Sequence, residues 1–251
     1  MKLAHSTLFS FLFPFKEPCV EGIFLERHKR FSILARINNK EVWLHTNNSG
    51  SMQGLLTPGN KLLASYSSNP KRKTAYTLEL MQVNGVWVGV NTLTPNRLLE
   101  FAFEAKQLDF AKGYTCLKRE QNLPENLRFA GEKARLDGLL TGPDQPPAWV
   151  ECKNVTLVKE GTAFFPDAKT ERGQKHLRSL IHLVQQGVRA VCFFLVQRED
   201  AYSFAPAKFI DQKYAELFWQ ALEAGVEVYP YKAIVSPEGI GLGEILPVNK
   251  S

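Results

Sequence analysis

Residues 135–153 read RLDGLLTGPDQPPAWVECK. The apolar residues on both sides of the GPDQPP turn predict two neighbouring strands that enter a core. Three charged residues, Asp137, Glu151 and Lys153, lie within these strands. Charged side chains are seldom buried unless they pair with an opposite charge or bind a metal. The stretch therefore predicts either an internal group of ion pairs or a functional site on a sheet.

Helices are predicted on both sides of these strands. In residues 93–114 the apolar positions have helical spacing, with Thr94 as the expected N-cap, Pro95 in the first turn and Gly113 as the end. A second helix is predicted over residues 170–187, a buried strand over 189–197 and a third helix over about 211–224. This alternation predicts an α/β domain around a central mixed sheet, covering residues 95–251.

The first part of the chain has a different pattern. Between residues 20 and 93, short apolar strands alternate with turn signals, including the hairpin pair Asn84-Gly85. This pattern predicts a small closed β-barrel of the OB type over residues 23–94, so the whole chain is of the α+β class. The apolar N-terminus resembles a signal peptide, but Pro14 interrupts it and no small-x-small cleavage site follows. We interpret residues 1–22 as an N-terminal extension or a first strand.

Composition and charge narrow the class of protein. Of 251 residues, 44% are hydrophobic, and no run of eighteen apolar residues is present, so we expect no membrane span. The four cysteines are widely spaced, which is typical of a reducing cytoplasm. Residues 1–94 contain 11 Lys/Arg and 5 Asp/Glu, whereas residues 95–251 contain 20 of each. The net charge of +6 therefore lies in the barrel part, which favours a polyanion such as nucleic acid as partner, although a solubilising surface is the alternative.

Two basic clusters fall on predicted turns of the barrel, and basic turn residues cannot belong to a core. Aromatic residues lie close to both, and barrels of this type bind nucleic acid by phosphate contacts and base stacking. Each aromatic residue taken singly is more typical of a core position. The clusters are Arg27, Lys29 and Arg30, then Lys71, Arg72 and Lys73, and the aromatic residues are Phe31, Tyr66 and Tyr76.

The charged residues of the opening stretch suit one kind of chemistry. In a strand, residues two apart share a face, so Glu151 and Lys153 project together, and the turn brings Asp137 beside them. Two adjacent carboxylates repel unless a cation lies between them, and Mg²⁺ or Mn²⁺ accepts such ligands. With Glu100 completing the acidic shell, the group could support metal-assisted attack on a phosphodiester. The alternative is that Lys153 only pairs with the carboxylates and nothing binds.

Several longer motifs carry a family resemblance. The chain resembles the sugar fermentation stimulation protein A (SfsA) family from about residue 24 to 248, and its order of helix, strands and helix matches the PD-(D/E)xK nuclease-like fold. The resemblance implies a bacterial cytoplasmic DNA-binding protein with a proposed role in regulating maltose metabolism. It also matches Glu100, Asp137, Glu151 and Lys153 to nuclease-type positions. The motifs are HTNNSGSMQGLL, SNPKRKTAYTLEL, GVNT, PNRLLE, RLDGLL, VECKNVTLV, FPDAKTERGQKHL and VQREDAYSFAPA.

The resemblance leaves several points open. The family often has Val at the position of Cys152 and Phe-Leu at Gly138-Leu139, but no charged position departs from its pattern. On the second helix, Arg172 and Lys175 are candidates for phosphate contacts, although a solvated ion pair of Glu171 with Lys175 is the default. We expect His176 to be structural. A loop over residues 47–51 is either a nucleic-acid loop or a plain barrel turn.

Three functions are compatible with these patterns. The leading one is a DNA-binding protein, with RNA and the strandedness of the substrate left open. The second is a Mg²⁺- or Mn²⁺-dependent nuclease, and the third is a protein-interaction regulator with a remnant acidic cluster. No pattern indicates the oligomeric state.

Overall fold

The computed structural model describes residues 12–15 and 18–250. Its first strand, β1 (Leu12–Pro14), belongs to a C-terminal sheet, and the next six form an N-terminal sheet of their own. In this second sheet the strand order is β4-β3-β2-β5-β6-β7, and a further pairing of β4 with β6 closes it into a barrel. The predicted OB-like barrel is confirmed. Its strands are β2 (Cys19–His28), β3 (Ser32–Ile37), β4 (Lys40–His45), β5 (Lys61–Tyr66), β6 (Tyr76–Val83) and β7 (Val86–Gly89).

The alternation of apolar and polar residues explains the barrel. On β3, for example, Ile33 and Ala35 are fully buried, while Arg36, the next residue along the strand, is exposed. The predicted hairpin between β6 and β7 is present, with positive φ at both Asn84 and Gly85. Positive φ at both central residues is the requirement of a type I′ turn, which explains why this dipeptide lies there.

The C-terminal part is built on a seven-stranded mixed sheet. Its order is β1-β16-β15-β13-β10-β9-β8, in which β10, β13 and β15 are parallel and the other pairs antiparallel. A separate three-stranded sheet has the order β11-β12-β14. The strands are β8 (Cys116–Asn122), β9 (Arg135–Gly142), β10 (Gln145–Val155), β11 (Leu157–Lys159), β12 (Thr162–Phe165), β13 (Arg189–Val196), β14 (Ser203–Pro206), β15 (Glu227–Ser236) and β16 (Gly239–Ile245).

In the described part of the chain, three helices cover the two faces of the large sheet. They are α1 (Thr94–Glu104), α2 (Glu171–Gln185) and α3 (Gln212–Ala224). Leu98 and Leu99 of α1 share a core with one face of the sheet, whereas Leu177 of α2 and Phe218 of α3 share a core with the other. The central strand β13 is buried along almost its full length, as its continuous apolar sequence predicts.

The ends of α1 differ from the prediction. Thr94 is not the cap but the first helical residue, and Leu93 lies at the cap position without a side-chain cap hydrogen bond. The helix ends at Glu104 and not at Gly113, since residues 109–111 form a separate 3₁₀ turn. The other two helices begin within one residue of the predicted starts at 170 and 211, and the side chains of Thr170 and Asp211 accept N–H groups of the first turn.

Part of the predicted extension belongs to the fold. Residues 1–11, 16 and 17 lie outside the described residues, but β1 pairs antiparallel with β16 at the edge of the large sheet. Strand β2 of the barrel already begins at Cys19, within the segment that we expected to precede the barrel. None of the helices in the described part of the chain has the length and apolar character needed to span a membrane.

Candidate functional site

The pairing of β9 with β10 places Asp137 next to Glu151, at the end of the paired region. The last paired residues are Gly138 and Val150, and one residue further Asp137 Oδ2 accepts the backbone N–H of Cys152 at 2.7 Å. Its other oxygen accepts a hydrogen bond from Nδ2 of Asn96, a residue of α1, at 2.7 Å. The carboxylate is therefore held at the end of the pairing by the next strand and by a helix.

Glu151 and Lys153 are both buried, at 2% and 9% exposure. Lys153 Nζ donates to Glu151 Oε1 at 2.5 Å, whereas Glu151 Oε2 is buried and has no hydrogen-bond partner among residues 12–15 and 18–250. Burial alone would raise the pKa of Glu151, but the charges and hydrogen bonds of Lys153 and His176 lower it to about 2. Glu151 is thus an ionised carboxylate with one free buried oxygen, although a buried polar atom usually has a partner.

Asp137 has the opposite electrostatic character. Its burial and the negative charge of Glu151 raise its pKa, and the hydrogen bonds from Cys152 and Asn96 only partly compensate. Two carboxylates with this mutual repulsion are stabilised by a cation that binds both. The pair therefore has the chemistry of a cation site.

Two residues of the site were missed by sequence reasoning. We expected His176 to be structural, but its Nδ1 contacts Glu151 Oε1 and lies 3.1 Å from Lys153 Nζ. Its four-residue spacing from Arg172, whose Nε donates to His176 Nε2 at 3.4 Å, is the one signal that both face the same side. Asn96 carried no signal beyond its position at the start of a helix that precedes Asp137.

Glu100 lies apart from this group. Its carboxylate accepts Arg119 Nη1 at 2.9 Å on the outside of α1, where its side chain is 45% exposed. Among residues 12–15 and 18–250, no three His, Cys, Asp or Glu side chains are arranged so that they could hold a metal ion. The three-carboxylate shell is therefore not formed in this arrangement, because Arg119 holds Glu100, and its role as a ligand stays a prediction.

The first basic cluster divides into two roles. Arg27 donates to the carbonyl oxygens of Asn48 and Gly50, both at 2.8 Å, and to that of Arg30 at 2.7 Å. Its guanidinium thus braces the loop over residues 48–50, and its expected contact with nucleic acid stays a prediction. Lys29 and Arg30 remain exposed at the end of the barrel.

The other basic residues are also distributed between internal and exposed positions. Arg72 Nη2 donates to Thr77 Oγ1 at 2.5 Å, whereas its neighbours Lys71 and Lys73 are exposed. Arg172 is exposed beside the site. Lys175 pairs with Glu132 at 2.6 Å rather than with Glu171.

A cleft of about 430 Å³ runs between the barrel and the large sheet. The barrel side contributes Arg30, residues 48–50 and Thr92, and the opposite side contributes Lys153 together with residues 165–170. Lys153 thus connects the carboxylate pair to the wall of the cleft. A ligand in this cleft would therefore contact residues of both domains.

The loop from the barrel also closes one end of this cleft. Ser51 Oγ donates to the carbonyl oxygen of Asp167 at 2.7 Å, and Met52 N–H donates to Asp167 Oδ2 at 3.0 Å. A Cβ atom on Gly50 would lie 2.6 Å from Asp167 Oδ1, so only glycine allows this approach. The two motifs HTNNSGSMQGLL and FPDAKTERGQKHL therefore form one structural unit.

Gly50→Ala is expected to lower the free energy of unfolding by about 1–3 kcal/mol, because the added methyl group displaces Asp167 from the loop. Urea unfolding measures the effect. Ser49→Ala, at the exposed neighbouring position, is the matched control and should change stability by less than about 0.5 kcal/mol. Equal stabilities of the two variants would contradict the close contact.

The barrel and the mixed sheet with its Asp…Glu-x-Lys strands define a protein with an OB domain and a PD-(D/E)xK nuclease-like domain. Residues 25–90 match the model described as the SfsA N-terminal OB domain, and residues 93–239 match the sugar fermentation stimulation protein RE domain. The chain belongs to the SfsA family.

Relatives cover nearly the whole chain. A sugar fermentation stimulation protein homolog of Maridesulfovibrio salexigens is 48% identical over 236 residues, covering 93% of this chain and 95% of the relative. A homolog of Syntrophobacter fumaroxidans is 49% identical over 246 residues, covering 98% and 91%. Among solved structures, that of Pyrococcus furiosus SfsA in complex with Ca²⁺ is similar with a TM-score of 0.85 and 29% identity, covering 96% of this chain and 99% of that one.

Proposed function

We propose that this protein binds DNA in the cleft between its domains and hydrolyses a phosphodiester bond there with a divalent metal ion. The observation that carries the proposal is the buried Oε2 of Glu151, which has no partner in the described part of the chain and lies beside the carboxylate of Asp137. Asp137 and Glu151 could hold the ion. Mg²⁺ and Mn²⁺ are the proposed ions, since Mg²⁺ commonly takes one or two carboxylates and completes its shell with water and phosphate oxygens. The Ca²⁺ complex of the Pyrococcus furiosus relative supports a divalent ion.

The chain's own residues have distinct tasks in this reaction. A bound ion would lower the pKa of a water molecule and neutralise charge on the phosphate. Burial lowers the pKa of Lys153, but the charge of Glu151 outweighs it and keeps the ammonium protonated. From the cleft wall, Lys153 can stabilise the negative charge that develops on the phosphate. His176 holds the orientation of Glu151 through its contact with Oε1.

The cleft has features that suit a phosphate backbone. Arg30 and Lys169 are exposed on its two sides, and α2 begins at its edge just after Thr170. The N-terminus of a helix carries unpaired N–H groups and a partial positive charge, which favour phosphate. Phe31, which follows Arg30, is 46% exposed and stacks on His45, so a base could stack on its free face.

Arg30→Gln and Lys169→Gln are each expected to weaken DNA binding and to reduce the slope of log Kd against log salt by about 1, because each removes one phosphate contact. Fluorescence anisotropy at several salt concentrations measures the slope. Lys40→Gln is the matched control, since Lys40 lies in the same barrel at the opposite end of β3 and is exposed. Salt-independent binding, or an equal effect of Lys40→Gln, would contradict the cleft as the DNA path.

A second candidate function is DNA binding without cleavage, as a regulator of sugar (maltose) metabolism in the bacterial cytoplasm. The position of Glu100 favours it, because only two carboxylates remain in the group when Arg119 holds the third. The family description supports the link to sugar use. DNA binding in the absence of cleavage, under all metal conditions, would favour this function over the first.

A further inference from the structure

A second cavity, of about 300 Å³, lies between the barrel, the start of α1 and the edge of the large sheet. It shares no residue with the Asp137 and Glu151 pair, although Asn96, which holds Asp137, is the chain neighbour of Arg97 in its wall. Ligand sites in proteins are commonly concave, with an apolar wall and a few polar groups that converge. The polar residues that line this cavity are His45, Asn47, Ser65, Arg72, Thr77, Glu79, Asn91, Thr94 and Arg97.

Two guanidinium groups in this wall have unused donors. Arg97 makes no side-chain hydrogen bond or ion pair with any other described residue, and Arg72 donates one hydrogen bond, to Thr77 Oγ1. Each guanidinium has five N–H groups, arranged to suit carboxylate or phosphate. The wall can therefore donate several charge-assisted hydrogen bonds to one anion.

Glu79 is the one acid among the described residues of the wall, and its carboxylate already accepts hydrogen bonds from neutral donors. Both carboxyl oxygens of Glu79 are engaged, one by Ser65 Oγ and the other by Asn91 Nδ2, each at 2.7 Å. Burial raises the pKa of Glu79, whereas its two hydrogen bonds and the charges of Arg97 and Arg72 act in the opposite direction. The described side chains of the wall therefore carry two positive charges, of Arg72 and Arg97, against the one negative charge of Glu79.

The remaining wall is apolar and partly aromatic. It consists of Phe13 and Phe15 from the β1 segment and of Ile240 from β16, which pairs with Phe13. A flat ring with a phosphate attached matches this combination, because phenyl faces stack on bases and the arginines bind phosphate. We propose that this cavity binds one phosphorylated nucleotide, either free or as the phosphorylated end of a nucleic-acid strand.

This proposal goes beyond the proposed function, because it requires neither metal nor cleavage. The test uses the full-length protein in EDTA, with titration calorimetry of dAMP and deoxyadenosine. We expect dAMP to bind at least ten times more tightly than deoxyadenosine. Equal affinities, or no binding of dAMP, would overturn the proposal whatever the outcome of cleavage assays.

Variants test the two arginines. Arg97→Gln and, separately, Arg72→Gln should each weaken dAMP binding at least tenfold, whereas Arg36→Gln, an exposed position of the barrel, is the matched control and should leave it unchanged. Circular dichroism shows whether each variant is folded. If Arg97→Gln does not fold, Arg72→Gln still tests the proposal. Wild-type affinity in both folded arginine variants would overturn the assignment.

The source of the nucleotide is decided with labelled oligonucleotides that carry either a 5′-phosphate or a 5′-hydroxyl. Tighter binding of the phosphorylated end, lost in Arg97→Gln, identifies a strand end as the ligand. Equal binding of the two oligonucleotides, together with Arg97-dependent binding of dAMP, identifies a free nucleotide.

Discussion

Lys153→Met is expected to lower the free energy of unfolding by about 3–5 kcal/mol. The carboxylate of Glu151 is almost fully buried, and Lys153 donates to it at 2.5 Å. Removing the ammonium group leaves an ionised carboxylate in the core with only His176 beside it. Breaking a buried ion pair by removing one partner is far more damaging than its net contribution suggests. Urea unfolding of the wild type and the variant measures the effect.

Two further variants separate this cause from a general loss of packing. The double variant Glu151→Gln/Lys153→Met should recover much of the stability, since it leaves no unpaired charge. Lys175→Met removes a half-exposed pair with Glu132 and should lower stability by less than about 1 kcal/mol. If the Glu151 and Lys153 substitutions were additive, the buried pair would not be coupled as described.

Asp137→Asn is expected to lower the rate of DNA cleavage at least about 100-fold, the usual size for the loss of one group that stabilises transition-state charge. The asparagine keeps an oxygen for the N–H of Cys152 but lacks the charge that would hold a cation. DNA affinity should stay within about threefold, because the substitution removes no phosphate contact. Single-turnover cleavage and anisotropy of the same samples measure the two effects.

Glu104→Gln is the matched control for the loss of an acid, since Glu104 is exposed at the end of α1. It should cleave at the wild-type rate. Glu100→Gln tests the remaining family position: a wild-type rate fits the Arg119 pair, and a loss as large as that of Asp137→Asn would assign Glu100 to the metal shell. Wild-type cleavage by Asp137→Asn would exclude this site.

The sequence predicts those parts of the fold that depend on a few neighbouring residues. The hairpin at Asn84-Gly85 and the caps at Thr170 and Asp211 are properties of a few neighbouring residues, and all three are present. The predicted ends of α1 are wrong for the opposite reason. Its apolar spacing continues to Leu108, but the helix ends at Glu104, because Lys106 has a positive φ and the N–H of Gln107 donates to the carbonyl oxygen of Ala102. Those contacts belong to the folded chain and have no periodic signature.

The same division applies to the site. Glu151 and Lys153 share a face because they are two apart on one strand, and a short turn brings Asp137 beside them, so the sequence predicts this group. His176 reaches Glu151 from a helix 25 residues later, and Arg27 is bound by carbonyl groups of a loop more than 20 residues away. Such distances along the chain give no pattern that one sequence reveals.

The most direct test of the central claim is cleavage of labelled single-stranded, duplex and branched DNA by the wild-type protein, with Mg²⁺ or Mn²⁺ and with EDTA, while binding is recorded in the same tubes. The account predicts that DNA is bound in all conditions and cleaved only with the divalent ion, since Asp137 and the free Oε2 of Glu151 would hold that ion. Binding without cleavage of any of these substrates under either ion would contradict the nuclease function and leave the fold as a DNA-binding scaffold.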